Sequence, residues 1–144
     1  MNIASLAVGL FMLGVGPALA ANVDVQMLNK GDDGAWVFQP ALVKVAVGDT
    51  VTFQPTDMGH DIEGIAGMMP AGAAPFKGDM SKPLTVTFAV PGVYAVKCDP
   101  HYGLGMVAVI VVGNDLSNLG ELKEAKNPSL AQKRFDAIFT QLQN

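Results

Sequence analysis

Val93-Tyr-Ala-Val-Lys-Cys98-Asp-Pro-His101-Tyr-Gly-Leu-Gly-Met106-Val-Ala-Val-Ile-Val-Val112 consists of two apolar arms joined by a turn containing Pro100, Gly103 and Gly105. The arms predict strands, and a proline- and glycine-rich turn of this length returns the second antiparallel to the first. Upstream the period of two repeats. Val23, Val25 and Met27 alternate with Asp24 and Gln26, Val43 and Val45 flank Lys44, Val51 and Phe53 follow Thr50 and Thr52, and Leu84, Val86 and Phe88 close the series. Gly31 to Gly34, Gly48-Asp49 and Pro91-Gly92 separate them as turns. Short half-buried strands spaced in this way predict an all-β, antiparallel sandwich.

The pattern lapses from Asp57 to Met80 into Gly, Ala, Met and Pro, a long connection expected to pack irregularly over one side. After Gly113 the periodicity turns helical. Asn118 with Glu121 resembles a capping pair, and Asn127-Pro128 places a capping side chain before a first-turn proline. Ala131, Phe135, Ile138 and Leu142 then form one apolar stripe, read as a helix covering the sheet rather than a partner- or membrane-binding helix.

The chain of 144 residues is half apolar, enough for one domain with a full core. Its net charge of -4 provides no global basic field, which argues against nucleic acid as partner. Residues 1–20 read differently from the rest: an uncharged apolar stretch from Ile3 to about Val15, then Pro17, then Ala18-Leu19-Ala20, a small-x-small cleavage pattern. They are expected to be a removed signal peptide, leaving residues 21–144 as a single domain with a helical tail over 114–144. No Lys or Arg precedes the apolar stretch, and the rival is a retained anchor. A helix needs roughly 20 apolar residues to span a membrane, and this stretch is shorter.

The turn between the two long arms holds the only cysteine of the chain, one of its two histidines and a methionine. The second histidine, His60, lies in the long connection. A lone cysteine is usually a small buried hydrophobe and a lone methionine core filler. Core packing does not explain why Cys98, His101 and Met106 share a glycine-rich turn. One thiolate, two imidazoles and a weak thioether are the donors of a His2Cys copper site with a long axial methionine. Export strengthens the case, because an unpaired thiol in an oxidising compartment is a hazard unless a metal shields it.

Cys98-x2-His101-x4-Met106 with an upstream Gly59-His60 resembles the type 1 copper site of the cupredoxin family. Met27-Leu-Asn-Lys30, Val37-Phe38-x-Pro40, Gly48-Asp-Thr-Val-Thr-Phe53, Thr56-Asp57, Pro91-Gly-Val-Tyr94, Val96-Lys97-Cys98, Pro100-His-Tyr-Gly103 and Ala125-Lys-Asn-Pro128 are similar to its pseudoazurin branch. Plastocyanins share the ligand spacing, but the helical extension after Gly113 resembles pseudoazurins. The resemblance covers essentially the whole mature chain.

It implies a Greek-key sandwich of about eight strands with two C-terminal α-helices, and a monomeric periplasmic one-electron carrier holding one copper ion. His60, Cys98 and His101 would be the close ligands and Met106 the axial one. It also implies donation to periplasmic redox proteins such as copper nitrite reductase, through an apolar patch at the exposed edge of His101. Asn29, Asp61 and Pro100 are expected to surround the ligands, and Pro100, lacking an N–H, cannot donate to the Cys98 sulfur. Lys30, Lys77 and Lys97 fall in segments resembling a basic docking rim, with Lys82 a weaker candidate; the alternative is a set of solvated lysines.

Three positions depart from the pattern. Asp61 stands where the family usually has Asn, and acts either through its charge or as an acceptor for backbone N–H groups. Trp36 replaces a smaller residue; exposed, it enlarges the docking patch and stacks on the ligand, and buried, it is ordinary core. Met58 stands where Lys is common.

Two other functions compete. Copper storage favours Met-rich binding, but the eight methionines are scattered, with only Met68-Met69 adjacent. A multicopper redox enzyme needs further histidines, and none is left once His60 and His101 are assigned. A Ser-His-Asp hydrolase would need those same residues, so no substrate turnover is expected.

Overall fold

The computed structural model describes residue 14 and residues 16–143. Most of the predicted signal peptide, residues 1–13 and 15, therefore lies outside the described residues. Among the described helices none is long and apolar enough to cross a membrane.

Eight strands form two four-stranded sheets. The first contains β1 (Asn22–Gly31), β2 (Gly34–Gln39), β4 (Thr50–Gln54) and β6 (Leu84–Thr87) in the order β2-β1-β4-β6. The second contains β3 (Leu42–Val45), β5 (Glu63–Gly64), β7 (Gly92–Lys97) and β8 (Val107–Val112) in the order β3-β8-β7-β5. The expected arms around the Cys98 turn are β7 and β8, paired antiparallel from Gly92 opposite Val112 to Lys97 opposite Val107.

The purely antiparallel expectation is corrected at two pairings. β1 lies parallel to β4, and β3 parallel to β8. The chain leaves the first sheet after β2, enters the second as β3 and returns as β4. Crossing between sheets frees the incoming strand from the antiparallel direction that a hairpin imposes.

The inner faces of both sheets bury Val25, Met27, Phe38, Val51, Phe53, Tyr94, Val96 and Ile110 in one cluster that includes Cys98 and Met106. Every residue of β8 is buried. Its uninterrupted apolar run is that of a strand covered on both faces: Val107, Val109 and Val111 point away from the sandwich interior into a second cluster with Ala131, Phe135, Ile138 and Phe139. Those four residues belong to α2 (Ser129–Gln141); Ala131, Phe135 and Ile138 are from the predicted stripe and cover the sheet, Phe139 joins them, and Leu142, the fourth expected member, lies just past the helix and packs half-buried against the same cluster. The short α1 (Leu119–Glu124) adds Leu119 and Leu122.

Neither asparagine caps its helix as the sequence suggests; α1 and α2 have no side-chain cap bond, and Pro128 stands one position before the helical residues of α2. Both side chains make tertiary bonds instead. Asn118 accepts from Val93 N–H at 2.8 Å and donates to Val93 O at 2.9 Å, binding α1 to β7. Asn127 Oδ1 accepts from the Tyr102 hydroxyl at 2.6 Å, tying the approach to α2 to the Cys98 turn. A buried strand N–H with no ladder partner costs more unpaired than a solvated helix end does, so the tertiary use prevails.

Candidate metal centre

Cys98 directly follows β7 and leads into a 3-10 helix, Asp99–Leu104, whose first turn contains Pro100. That position suits proline, since a first-turn N–H has no intrahelical acceptor. Gly105 ends the turn in the left-handed region at φ 88°, where glycine is tolerated without a Cβ clash. Met106 N–H donates to His101 O at 3.1 Å, and Cys98 N–H donates to Met106 O at 3.0 Å. The backbone of the turn is thus closed on itself, with Cys98 and Met106 both fully buried in the sandwich core.

His60 arrives from the long connection and is also fully buried. Its Nε2 lies 2.9 Å from Asn29 Oδ1, an oxygen that only accepts, so Nε2 carries the proton and Nδ1 presents its lone pair. Burial, then the neighbouring His101, holds its pKa below the ordinary imidazole value. A neutral imidazole with one nitrogen fixed by an outer acceptor is the usual form of a metal-ligating histidine.

The three donors converge. His60 Nδ1 is 3.1 Å from His101 Nδ1 and 3.7 Å from Cys98 Sγ, and His101 Nδ1 is 3.5 Å from Cys98 Sγ. A triangle with these sides has a circumscribed radius of about 2.0 Å, close to a metal–imidazole bond of about 2.0–2.1 Å, as known for zinc. The residues therefore fit a single ion held by two nitrogens and a sulfur. This is the one cluster of its kind among the described residues. A soft thiolate with imidazoles suits copper.

Burial pushes the Cys98 thiol up to about 11, opposed by backbone N–H groups of Asp61 and His101 that favour the thiolate. Asp61 is itself buried, and its Oδ1 accepts from Asp99 N–H at 2.6 Å. The Asp61 side chain thus links the two donor-bearing loops as an acceptor, beside the N–H that Asp61 itself directs at the Cys98 sulfur.

Trp36 is half-buried: it packs against the core, and its ring stacks on that of His101 at 4.3 Å with planes 16° apart. His101 keeps partial exposure, while Met58 and Leu104, 71% and 47% exposed, add apolar surface to the two donor loops.

The lysines divide. Lys30 is exposed on β1. Lys77 and Lys97 instead share two carboxylates: Lys77 with Glu63 at 3.2 Å and Asp99 at 3.6 Å, Lys97 with Glu63 at 3.5 Å and Asp99 at 2.9 Å. Lys97 also lies over the Tyr102 ring, 5.1 Å from its centre. The hydrogen bond from Lys97, then the charges of both lysines, hold the Asp99 carboxyl below its ordinary range. Lys82 pairs with Asp79 at 3.6 Å. The two positive charges flanking the Cys98 turn are matched by two negative ones.

Sequence reasoning missed Arg134, whose guanidinium donates to the main chain of Ala35, Trp36 and Gly105. Its partners are carbonyls distant in sequence, which leave no residue-type signal.

Residues 25–113 match the family described as copper binding proteins, plastocyanin/azurin family. The chain is 43% identical over 141 residues to pseudoazurin of Paracoccus pantotrophus, covering 98% of this chain and 97% of that one. It is 47% identical over 127 residues to pseudoazurin of Methylorubrum extorquens, covering 88% and 86%. The crystal structure of pseudoazurin from Methylobacterium extorquens AM1 superposes with a TM-score of 0.82 at 46% identity, covering 84% of this chain and 98% of that one.

Proposed function

This chain belongs to the plastocyanin/azurin family of copper-binding proteins, in its pseudoazurin branch, and on that premise we propose that His60, Cys98 and His101 hold the copper ion through Nδ1, Sγ and Nδ1, with Met106 as the weak axial donor. Members of that branch are copper electron carriers and not enzymes. When bound, the ion supplies a one-electron couple, Cu(II)/Cu(I). The convergence of three donor atoms from two separate loops supports this ligand set.

The residues around the site hold it rigid. Asn29 fixes the His60 tautomer, Asp61 joins the two donor loops, and the bonds among Cys98, His101 and Met106 close the turn. Donors held by packing and hydrogen bonds keep one geometry in both oxidation states, so little rearrangement opposes electron transfer. Burial of His60, Cys98 and Met106 excludes water from three sides. His101 alone among the four is partly open.

The reductase that accepts the electron, copper nitrite reductase or a similar periplasmic protein, docks at this open side, against Trp36, Met58 and Leu104. Lys30 contributes positive charge there; Lys77 and Lys97 act as members of a balanced cluster, so steering by them is weak. The mature chain begins at Ala21 after removal of residues 1–20, works in the periplasm and comprises one domain, residues 21–144, as a monomer.

Addition of Cu(II) to the purified mature chain, followed by visible and EPR spectra, tests the ligand set. A strong sulfur-to-copper charge-transfer band with narrow hyperfine splitting is expected, absent in Cys98→Ser. A folded protein that stays colourless refutes the assignment.

A further inference from the structure

Trp36 adopts a conformation that its own chemistry disfavours. Its φ is +54°, in the left-handed region that bulky residues seldom occupy. Some neighbouring group must hold it there. The two carbonyls in question, of Ala35 and of Trp36 itself, both accept from one guanidinium: Arg134 Nη2 donates to Ala35 O at 2.7 Å and Nη1 to Trp36 O at 2.5 Å. Nη1 also donates to Gly105 O at 2.8 Å, the carbonyl just before Met106.

Arg134 lies on α2 between the buried Ala131 and Phe135, so the helix that covers the outer face of β8 fixes the height of the guanidinium. Its rigid fork reaches three acceptors that a lysine's single ammonium would serve less well. The same fork therefore grips the hairpin bearing Trp36 and the end of the donor turn.

We infer that Arg134 is a positioning residue of the metal centre: it holds the Trp36 main chain in the left-handed conformation that lays the indole flat on His101, and couples α2 to the turn ending at Met106. Trp36 packs over the half-open imidazole and restrains its ring, so the helical tail governs how firmly the exposed donor is seated. The link to the metal rests on the ligand set proposed above; the link from Arg134 to Trp36 does not.

Trp36 is the only tryptophan of the chain, so tryptophan emission reports the surroundings of this one ring. The metal-free protein is compared with Arg134→Gln, Arg134→Lys and Lys133→Gln, the last altering an exposed neighbour on the same helix. Acrylamide quenching of Trp36 and the ring-proton NMR shifts of His101 are measured with thermal unfolding. Hydrogen bonds from a charged donor are each worth about a tenfold factor, so the population with the indole lifted from the imidazole should rise on the order of tenfold or more in Arg134→Gln. Quenching then increases, the upfield ring-current shift of His101 shrinks, Arg134→Lys falls between, and Lys133→Gln matches the parent.

Unchanged quenching and His101 shifts in folded Arg134→Gln overturn the inference, as does an equal change in Lys133→Gln. Should Arg134→Gln not fold, Arg134→Lys decides in the same way. Copper titration of the parent protein is the separate measurement on which the ligand set stands or falls.

Discussion

Truncation of Asn29 to alanine isolates one contact of the metal centre. In the parent protein, His60 Nε2–H donates to Asn29 Oδ1 at 2.9 Å, and the imidazole is wholly buried. Alanine removes the acceptor and leaves the ring. An unpaired buried N–H costs about 1–3 kcal/mol. Asn29 itself is an exposed residue of β1, so water enters the space it vacates and the cost falls toward the lower end, about 1 kcal/mol. The tautomer is also released, so part of the population carries the proton on Nδ1 and cannot coordinate. Loss of such an outer partner typically lowers metal affinity by about 10–100-fold, and with water as a partial substitute about tenfold is expected. Chelator competition measures the affinity, and urea unfolding of the metal-free protein measures stability. Asn29→Asp preserves an acceptor and should retain tight binding. Copper affinity in Asn29→Ala within about twofold of the parent would refute the assignment of the Nε2–H to this contact and of Nδ1 to the metal.

Other substitutions follow the same logic. Asp61→Asn retains an oxygen for Asp99 N–H and should change stability by less than about 1 kcal/mol, whereas Asp61→Ala should cost about 1–3 kcal/mol in urea unfolding. Removing the Asp61 charge beside the thiolate should also raise the reduction potential in both variants, read by voltammetry. Asn118→Ala loses both bonds to Val93 and should cost about 2–3 kcal/mol while leaving the visible spectrum of the copper form unaltered, since Val93 lies at the far end of β7 from Cys98. Copper uptake should release a proton from the Cys98 thiol, which burial pushes up to about 11 and keeps protonated at neutral pH. His60, with its pKa lowered, is neutral there and adds none. Affinity should therefore rise about tenfold per pH unit from this group near pH 7–8, and calorimetry in buffers of different ionisation enthalpy counts the proton.

Much of the fold is legible in residue order because it depends on local periodicity. The alternation of Val23, Val25 and Met27, the paired arms around Cys98 and the stripe of Ala131, Phe135 and Ile138 each record which side of an element faces the core. β2 and the two-residue β5 escape this reading, since the first carries only Val37 and Phe38 as buried neighbours and the second interrupts a loop without alternation. The parallel pairings escape it too. Strand direction depends on which sheet the chain next enters, which no window of sequence contains.

The donor set likewise follows from residue chemistry: one thiol, two imidazoles and a methionine leave few alternatives, and three of the four share one turn. Sequence by itself determined most of the element types and the turn, and singled out one thiol, two imidazoles and a methionine as candidate donors, because periodicity and donor chemistry are properties of single residues and their near neighbours. Only the tertiary structure decided that His60 meets that turn, that Asn118 and Asn127 join distant elements rather than cap helices, that Lys77 and Lys97 share two carboxylates, and that Arg134 reaches the Trp36 hairpin. Those contacts join groups far apart along the chain, and hydrogen bonds to main-chain carbonyls are indifferent to the side chains that bear them.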